Sequence, residues 1–295
     1  MTVEASTYTW RFELKRKVVF PWGRKYEHPD GRGAFVATTL KPFLVGHVLD
    51  VGAGRNSAIL RETLGAAYEA LDLERSYQLK PEFSGKASDT VVDLEQGRLP
   101  FGDRQYDTVV CTDVLEHVDR IYEIYDELFR VARRHVIISL PNNWVNFLGS
   151  FIVGRNLTHM AGYGLPPQPK RPGERHKYFF NFEEACDFLA GRTPHDFRVC
   201  CFDQRFEYGI DGVLCSLRPV SMLFRGVNTR KLLAKSREEF GVIKGTILVA
   251  LTLPFYYPLR LLDVLLGAII WGWGRRVRYY NLFCRQIWMV YERVD

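Results

Sequence analysis

The chain has 295 residues, 47% apolar and 25% charged, with a formal net charge of +6. That balance excludes a disordered or collagen-like chain and leaves room for one large domain or two small ones. The six cysteines, at 111, 186, 200, 201, 215 and 284, form no CxxC pair and no disulfide framework. No metal site or redox dithiol is therefore expected, and a reducing compartment fits.

Residues 1–44 read as a mixed, aromatic and basic lead-in, helical with a turn at His28-Pro29-Asp30-Gly31 and without the apolar stretch of a secretory signal. The first clear strand is 45–51 (VGHVLDV), followed by Gly52-Ala53-Gly54 and a helix over 57–66. Strands follow at 68–73 (YEALDL), 90–94 (TVVDL), 106–111 (YDTVVC) and 135–140 (HVIISL), with a helix from about 120 to 133 between the last two. A helix over 181–190 has a start signal in Asn181 followed by Glu183 and Glu184, and 197–202 (FRVCCF) is a sixth strand. Strand alternating with helix predicts βαβ units and an α/β sheet covered on both faces. Residues 208–280 break the alternation, and 281–294 again reads as a strand, the last of the same sheet. Four segments result: the lead-in 1–44, a core 45–207, an apolar and basic helical insertion 208–280, and the final strand 281–295.

Ligands of open α/β sheets bind at the carboxyl ends of the strands. Asp50, Gly52, Ala53 and Gly54 stand at the first tip, Asp72 and Leu73 at the second, Asp93 and Leu94 at the third, Thr112 and Asp113 at the fourth. An acid such as Asp72, about 20 residues after the glycines, can accept both hydroxyls of a ribose. A dinucleotide pyrophosphate suits a GxGxxG turn at a helix N-terminus. Here the turn reads Gly52-Ala53-Gly54-Arg55-Asn56-Ser57, without the third glycine, and Asp50 places negative charge beside it. A cationic adenosyl ligand such as S-adenosylmethionine fits that charge better.

The segments VLDVGAGRNSAIL (48–60), YEALDLE (68–74), DLEQGRLPF (93–101) and YDTVVCTDVLEHV (106–118) resemble, in order and spacing, the signature motifs of class I S-adenosylmethionine-dependent methyltransferases, and are similar to the small-molecule and lipid branch. The resemblance implies a Rossmann-like, seven-stranded, mostly parallel sheet whose last strand runs antiparallel. It implies that Asp50, Gly52, Ala53 and Gly54 line the methionine moiety, that Asp72 and Leu73 hold the ribose, that Asp93 and Leu94 contact adenine, and that Thr112 and Asp113 close the pocket. Asn56 stands where the family often has a small residue.

A hydroxyl acceptor needs a base. His117, His159, His176, Glu174, Tyr163 and Tyr178 are candidates, most of them in the Gly/Pro-rich stretch 154–180, read as a cap over the site. His176 is the first choice for catalysis, with Tyr163, Glu174 and Tyr178 as substrate contacts.

The excess positive charge is confined to residues 225–295, which carry 12 Lys+Arg against 5 Asp+Glu. Within them, 245–259 (15 residues) and 264–274 (11 residues) contain no charge, and both runs are shorter than the ~20 residues a spanning helix needs. Short helices lying in one leaflet of an anionic membrane are expected, with Trp271, Trp273, Tyr256, Tyr257, Tyr279 and Tyr280 at the headgroups and Arg275, Arg276 and Arg278 on the lipid charge. The expected protein is a cytoplasmic, monotopic methyltransferase with an amphiphilic or lipid-linked acceptor, such as a polyprenyl-linked glycan, and a homodimer is open. The alternatives are a soluble small-molecule methyltransferase using the insertion as a lid or dimer interface, and an inactive nucleotide-binding scaffold. Nucleic acid is not an expected partner, because the basic residues form no stripe beside the pocket.

Overall fold

The computed structural model describes residues 32–54, 57–73, 89–144, 147, 176–206, 284–294 and scattered positions between 241 and 269. Seven strands form one sheet: β1 (Val48–Val51), β2 (Tyr68–Asp72), β3 (Thr90–Val91), β4 (Tyr106–Thr112), β5 (Ala132–Pro141), β6 (Phe197–Phe206) and β7 (Cys284–Arg293). Their order is β3-β2-β1-β4-β5-β7-β6. The first five run parallel, and β7 lies antiparallel between β5 and β6. The expected fold class and the antiparallel final strand are both present.

All four side chains of β1 are buried, as a strand covered on both faces requires. One face of the sheet packs on α1 (Arg32–Thr38) and α2 (Ser57–Leu64), through Phe35, Val36, Leu40 and Leu60 against Val48, Ala70, Val110, Ile137 and Trp288. The other packs on α3 (Ile121–Val131) and α4 (Phe182–Gly191), through Ile124, Leu128, Phe182 and Leu189 against Leu49, Val109, Val136 and Met289. Trp288 stacks on Phe35 at 4.8 Å between ring centroids, so the last strand locks the lead-in onto the core. Asn181 caps α4 through a capping box with Glu184, which satisfies two otherwise orphaned amides.

Several boundaries differ from those read in the sequence; β1 begins at Val48 rather than 45 and β5 at Ala132 rather than 135. β3 stops at Val91 rather than at residue 94, because the Asp93 side chain accepts from the Glu95 amide and turns 94–96 into a 3₁₀ helix. β6 continues to Phe206, since β7 offers it a partner along its whole length. β7 is described from Cys284 onward, and residues 281–283 lie outside the described residues. The expected insertion falls mostly outside the described residues, as do residues 1–31, Tyr163, Glu174 and His159.

Candidate active site

β1 and β4 are neighbours, while the chain leaves β1 for β2 on the opposite side. The order of strands therefore reverses beside β1, and a crevice opens at the carboxyl ends there. Every described residue read from the sequence as cofactor-binding lies at these ends.

At the tip of β1, Asp50 is 1% exposed. Its Oδ2 accepts from the Tyr68 hydroxyl at 2.7 Å, while its Oδ1 is buried without a hydrogen-bond partner. Burial pushes this carboxyl up to about 7; the Tyr68 hydroxyl opposes the shift, Asp72 adds to it, and Arg32 opposes it. A cation delivered to Oδ1 would relieve that cost. The chain then turns through Gly52, at φ +67°, where a Cβ would stand 2.4 Å from Val114 Cγ2. Only glycine combines that backbone with that approach. Gly54, at φ +48°, faces open space instead.

Asp72 ties the second tip to the first. Its Oδ2 accepts from the Gly54 amide at 2.8 Å and its Oδ1 from the Leu73 amide at 2.6 Å. At the third tip Leu94 is buried, and Asp93 serves as the cap just described.

At the fourth tip Asp113 takes a left-handed backbone, φ +52°. Its carboxylate is a hub: Oδ1 accepts from Ser139 Oγ at 2.8 Å and Gln286 Nε2 at 2.7 Å, and Oδ2 pairs with Arg32 at 2.9 Å. Burial alone would raise it, but Arg32, Gln286 and Ser139 together hold it below the usual carboxylate range. Arg32 also donates to the Thr112 carbonyl at 3.2 Å. Asp113 thus fastens the pocket wall by joining α1, β4, β5 and β7. Sequence reading missed Arg32, Ser139 and Gln286. Each is a single polar residue in an unremarkable context, and only the sheet order brings them together.

Beyond Asp113 a 3₁₀ turn, Leu115–His117, carries Glu116 and His117. Glu116 is completely buried, and neither carboxylate oxygen has a hydrogen-bond partner. Burial, and secondarily Asp113, push its carboxyl well above the usual range. The 176–180 segment hangs on this turn: the Lys177 amide donates to the Glu116 carbonyl at 2.7 Å, and Lys177 Nζ reaches Glu95 and, at 2.8 Å, Asp119. His176 is thereby set against His117, ring centroids 4.4 Å apart and nearly perpendicular. Asn143 Nδ2 lies 3.3 Å from His176 Nδ1 and donates to the Tyr178 carbonyl at 3.1 Å. Burial, and then His117, lower His176 to about 3, so the ring is neutral. Tyr178 points away from this cluster, its hydroxyl donating to the Asp119 carbonyl at 2.9 Å.

A family model described as a methyltransferase domain matches residues 49–140. No curated protein gives a significant match. Among solved structures, the chain is similar to a SAM-dependent methyltransferase from Archaeoglobus fulgidus (15% identity, 89% of this chain and 95% of that one, TM-score 0.44). It is also similar to one from Aquifex aeolicus (15% identity, 66% and 92%, TM-score 0.36). A third is the phosphoethanolamine N-methyltransferase 2 of Haemonchus contortus in complex with phosphomonomethylethanolamine and S-adenosylhomocysteine (15% identity, 98% and 61%, TM-score 0.41).

Proposed function

We propose, from the premise that the chain carries a class I S-adenosylmethionine-dependent methyltransferase core, that its acceptor is amphiphilic or lipid-linked and is methylated at a membrane surface. The cofactor fits the residues present. The orphaned, buried Oδ1 of Asp50 suits an ammonium, the open face of Gly54 admits a close ligand, and Asp72 sets a carboxylate at the tip of β2, the position that suits ribose hydroxyls. When bound, S-adenosylmethionine supplies an electrophilic methyl carbon on a sulfonium. The chain's own contribution is alignment, an effect worth roughly 7–11 kcal/mol in favourable systems. Asp50 and Asp72 would hold the donor at the tips of β1 and β2, Asp113 braces the turn after β4, and His176, set against that turn, would contact the acceptor.

The observation that carries the acceptor class is apolar exposure in the basic last quarter. Among the described residues there, Val242, Ile243, Ile247, Leu261, Leu265 and Ile269 are helical and exposed, Ile243 by 75%. Large apolar side chains left exposed at helical spacing, as at 261, 265 and 269, suit a contact surface. Among the described residues no helix is long and apolar enough to cross a membrane, so such contact is with one leaflet. Incubation with methyl-labelled S-adenosylmethionine and a total membrane-lipid extract tests the reading. Label is expected in an amphiphilic product. Label only in water-soluble acceptors would instead establish the soluble small-molecule alternative.

A further inference from the structure

The Glu116–His117–His176 cluster beside the cofactor crevice has no role in gripping the cofactor. One ligand atom from each lies within 4.8 Å of the others, and His117 Nε2 is 3.8 Å from Glu116 Oε1. Bonds of about 2.0–2.2 Å to a zinc-like ion place tetrahedral donors roughly 3.4 Å apart, within reach of small side-chain rotations. Glu116 is the telling member. A carboxyl sealed from water with both oxygens unpartnered is costly, and such groups are found paired or on metals. Among the described residues, Arg32 is committed to Asp113 and Lys177 to Glu95 and Asp119.

We propose that Glu116, His117 and His176 form a binding site for one divalent transition-metal ion, whose open coordination position receives an oxygen of the acceptor. Two imidazoles and one carboxylate are a donor set for zinc, manganese or cobalt, and three protein ligands leave a position for substrate. A hydroxyl held there loses its proton to solvent at lower pH than in water. Its oxygen then forms the O–CH₃ bond as the methyl–sulfur bond breaks, and the electron pair leaves with sulfur in S-adenosylhomocysteine. The acceptor class is thus an oxygen nucleophile, a hydroxyl. This last step rests on the methyltransferase reading; the metal site does not.

The full-length protein, stripped with chelator, is titrated calorimetrically with Zn²⁺ and with Mn²⁺. One saturable equivalent is expected, weakened at least tenfold in both Glu116→Gln and His176→Ala. Glu116→Gln keeps the side-chain shape, so its fold is preserved, and near-ultraviolet circular dichroism checks this. Absence of a saturable site, or affinity undiminished in both variants, overturns the proposal. Cobalt-loaded protein is then mixed with catechol. A shift of the visible cobalt bands supports oxygen-acceptor binding, and an unchanged spectrum overturns that part. Binding of S-adenosylhomocysteine to the stripped protein is measured separately, so loss of the cofactor reading and loss of the metal site give different results.

Discussion

Asp50 shows how a buried acid can be a cofactor device. Its folded value of about 7 lies above its ordinary 3.8, because burial disfavours the charge. By linkage, the stability it contributes is full below about 3.8 and is lost as pH rises through about 7. The unliganded protein is therefore expected to lose thermal stability between about pH 4 and 7. A bound ammonium reverses this cost, so stabilisation by S-adenosylmethionine grows over the same window. Asp50→Asn should flatten both trends, raise unliganded stability at pH 8 by about 1–3 kcal/mol, and weaken the cofactor. Scanning calorimetry at several pH values, with and without cofactor, checks all three. The two glycines of the turn divide in the same way. Gly52→Ala meets Val114 and should unfold the site, costing about 1–3 kcal/mol or more. Gly54→Ala meets nothing, so it should cost only about 1 kcal/mol while impairing cofactor binding, as urea titration and calorimetry would separate.

Between elements, the site is held by long-range polar ties. Arg32 on α1 reaches Asp113 and the Thr112 carbonyl at the end of β4. Arg32→Ala is expected to destabilise by about 1–2 kcal/mol, since one of Asp113's three partners is lost while Ser139 and Gln286 remain. Cofactor affinity should fall with it, because the pocket wall loses its brace. Lys177 plays the matching part for the His176 segment through Glu95 and Asp119. Lys177→Met should leave the unfolding free energy, measured by urea titration, within about 1 kcal/mol of wild type but lower turnover, with cofactor affinity kept. The LPF–YD stretch has an equally concrete origin. Leu99 is buried, its amide donates to Glu127 and its carbonyl accepts from Arg130, while Phe101 packs edge-on against Tyr106, whose hydroxyl donates to Glu69. A motif that reads as a signature is here a clamp joining the loop before β4 to α3 and β2.

At the level of the whole molecule, the sequence by itself determined the α/β architecture, the order of the core elements and the acids at the strand tips. These depend on local information: apolar runs of strand length, glycines at a sharp turn, and a carboxylate where each run ends. Most element ends were legible to within a few residues, and β3 failed only because a side-chain cap at Asp93 competed with strand extension. The strand order, the Arg32–Asp113–Gln286 tie and the meeting of Glu116 with His117 and His176 were decided by tertiary structure alone. His117 and His176 read only as separate candidate bases about 60 positions apart, and the sequence assigns Glu116 no role. Nothing in their spacing says that a segment returning over β4 sets the two rings 4.4 Å apart beside a sealed carboxyl. Sequence encodes what neighbours along the chain do to one another. A site assembled from distant tips exists only once the sheet has closed and water has been excluded from between them.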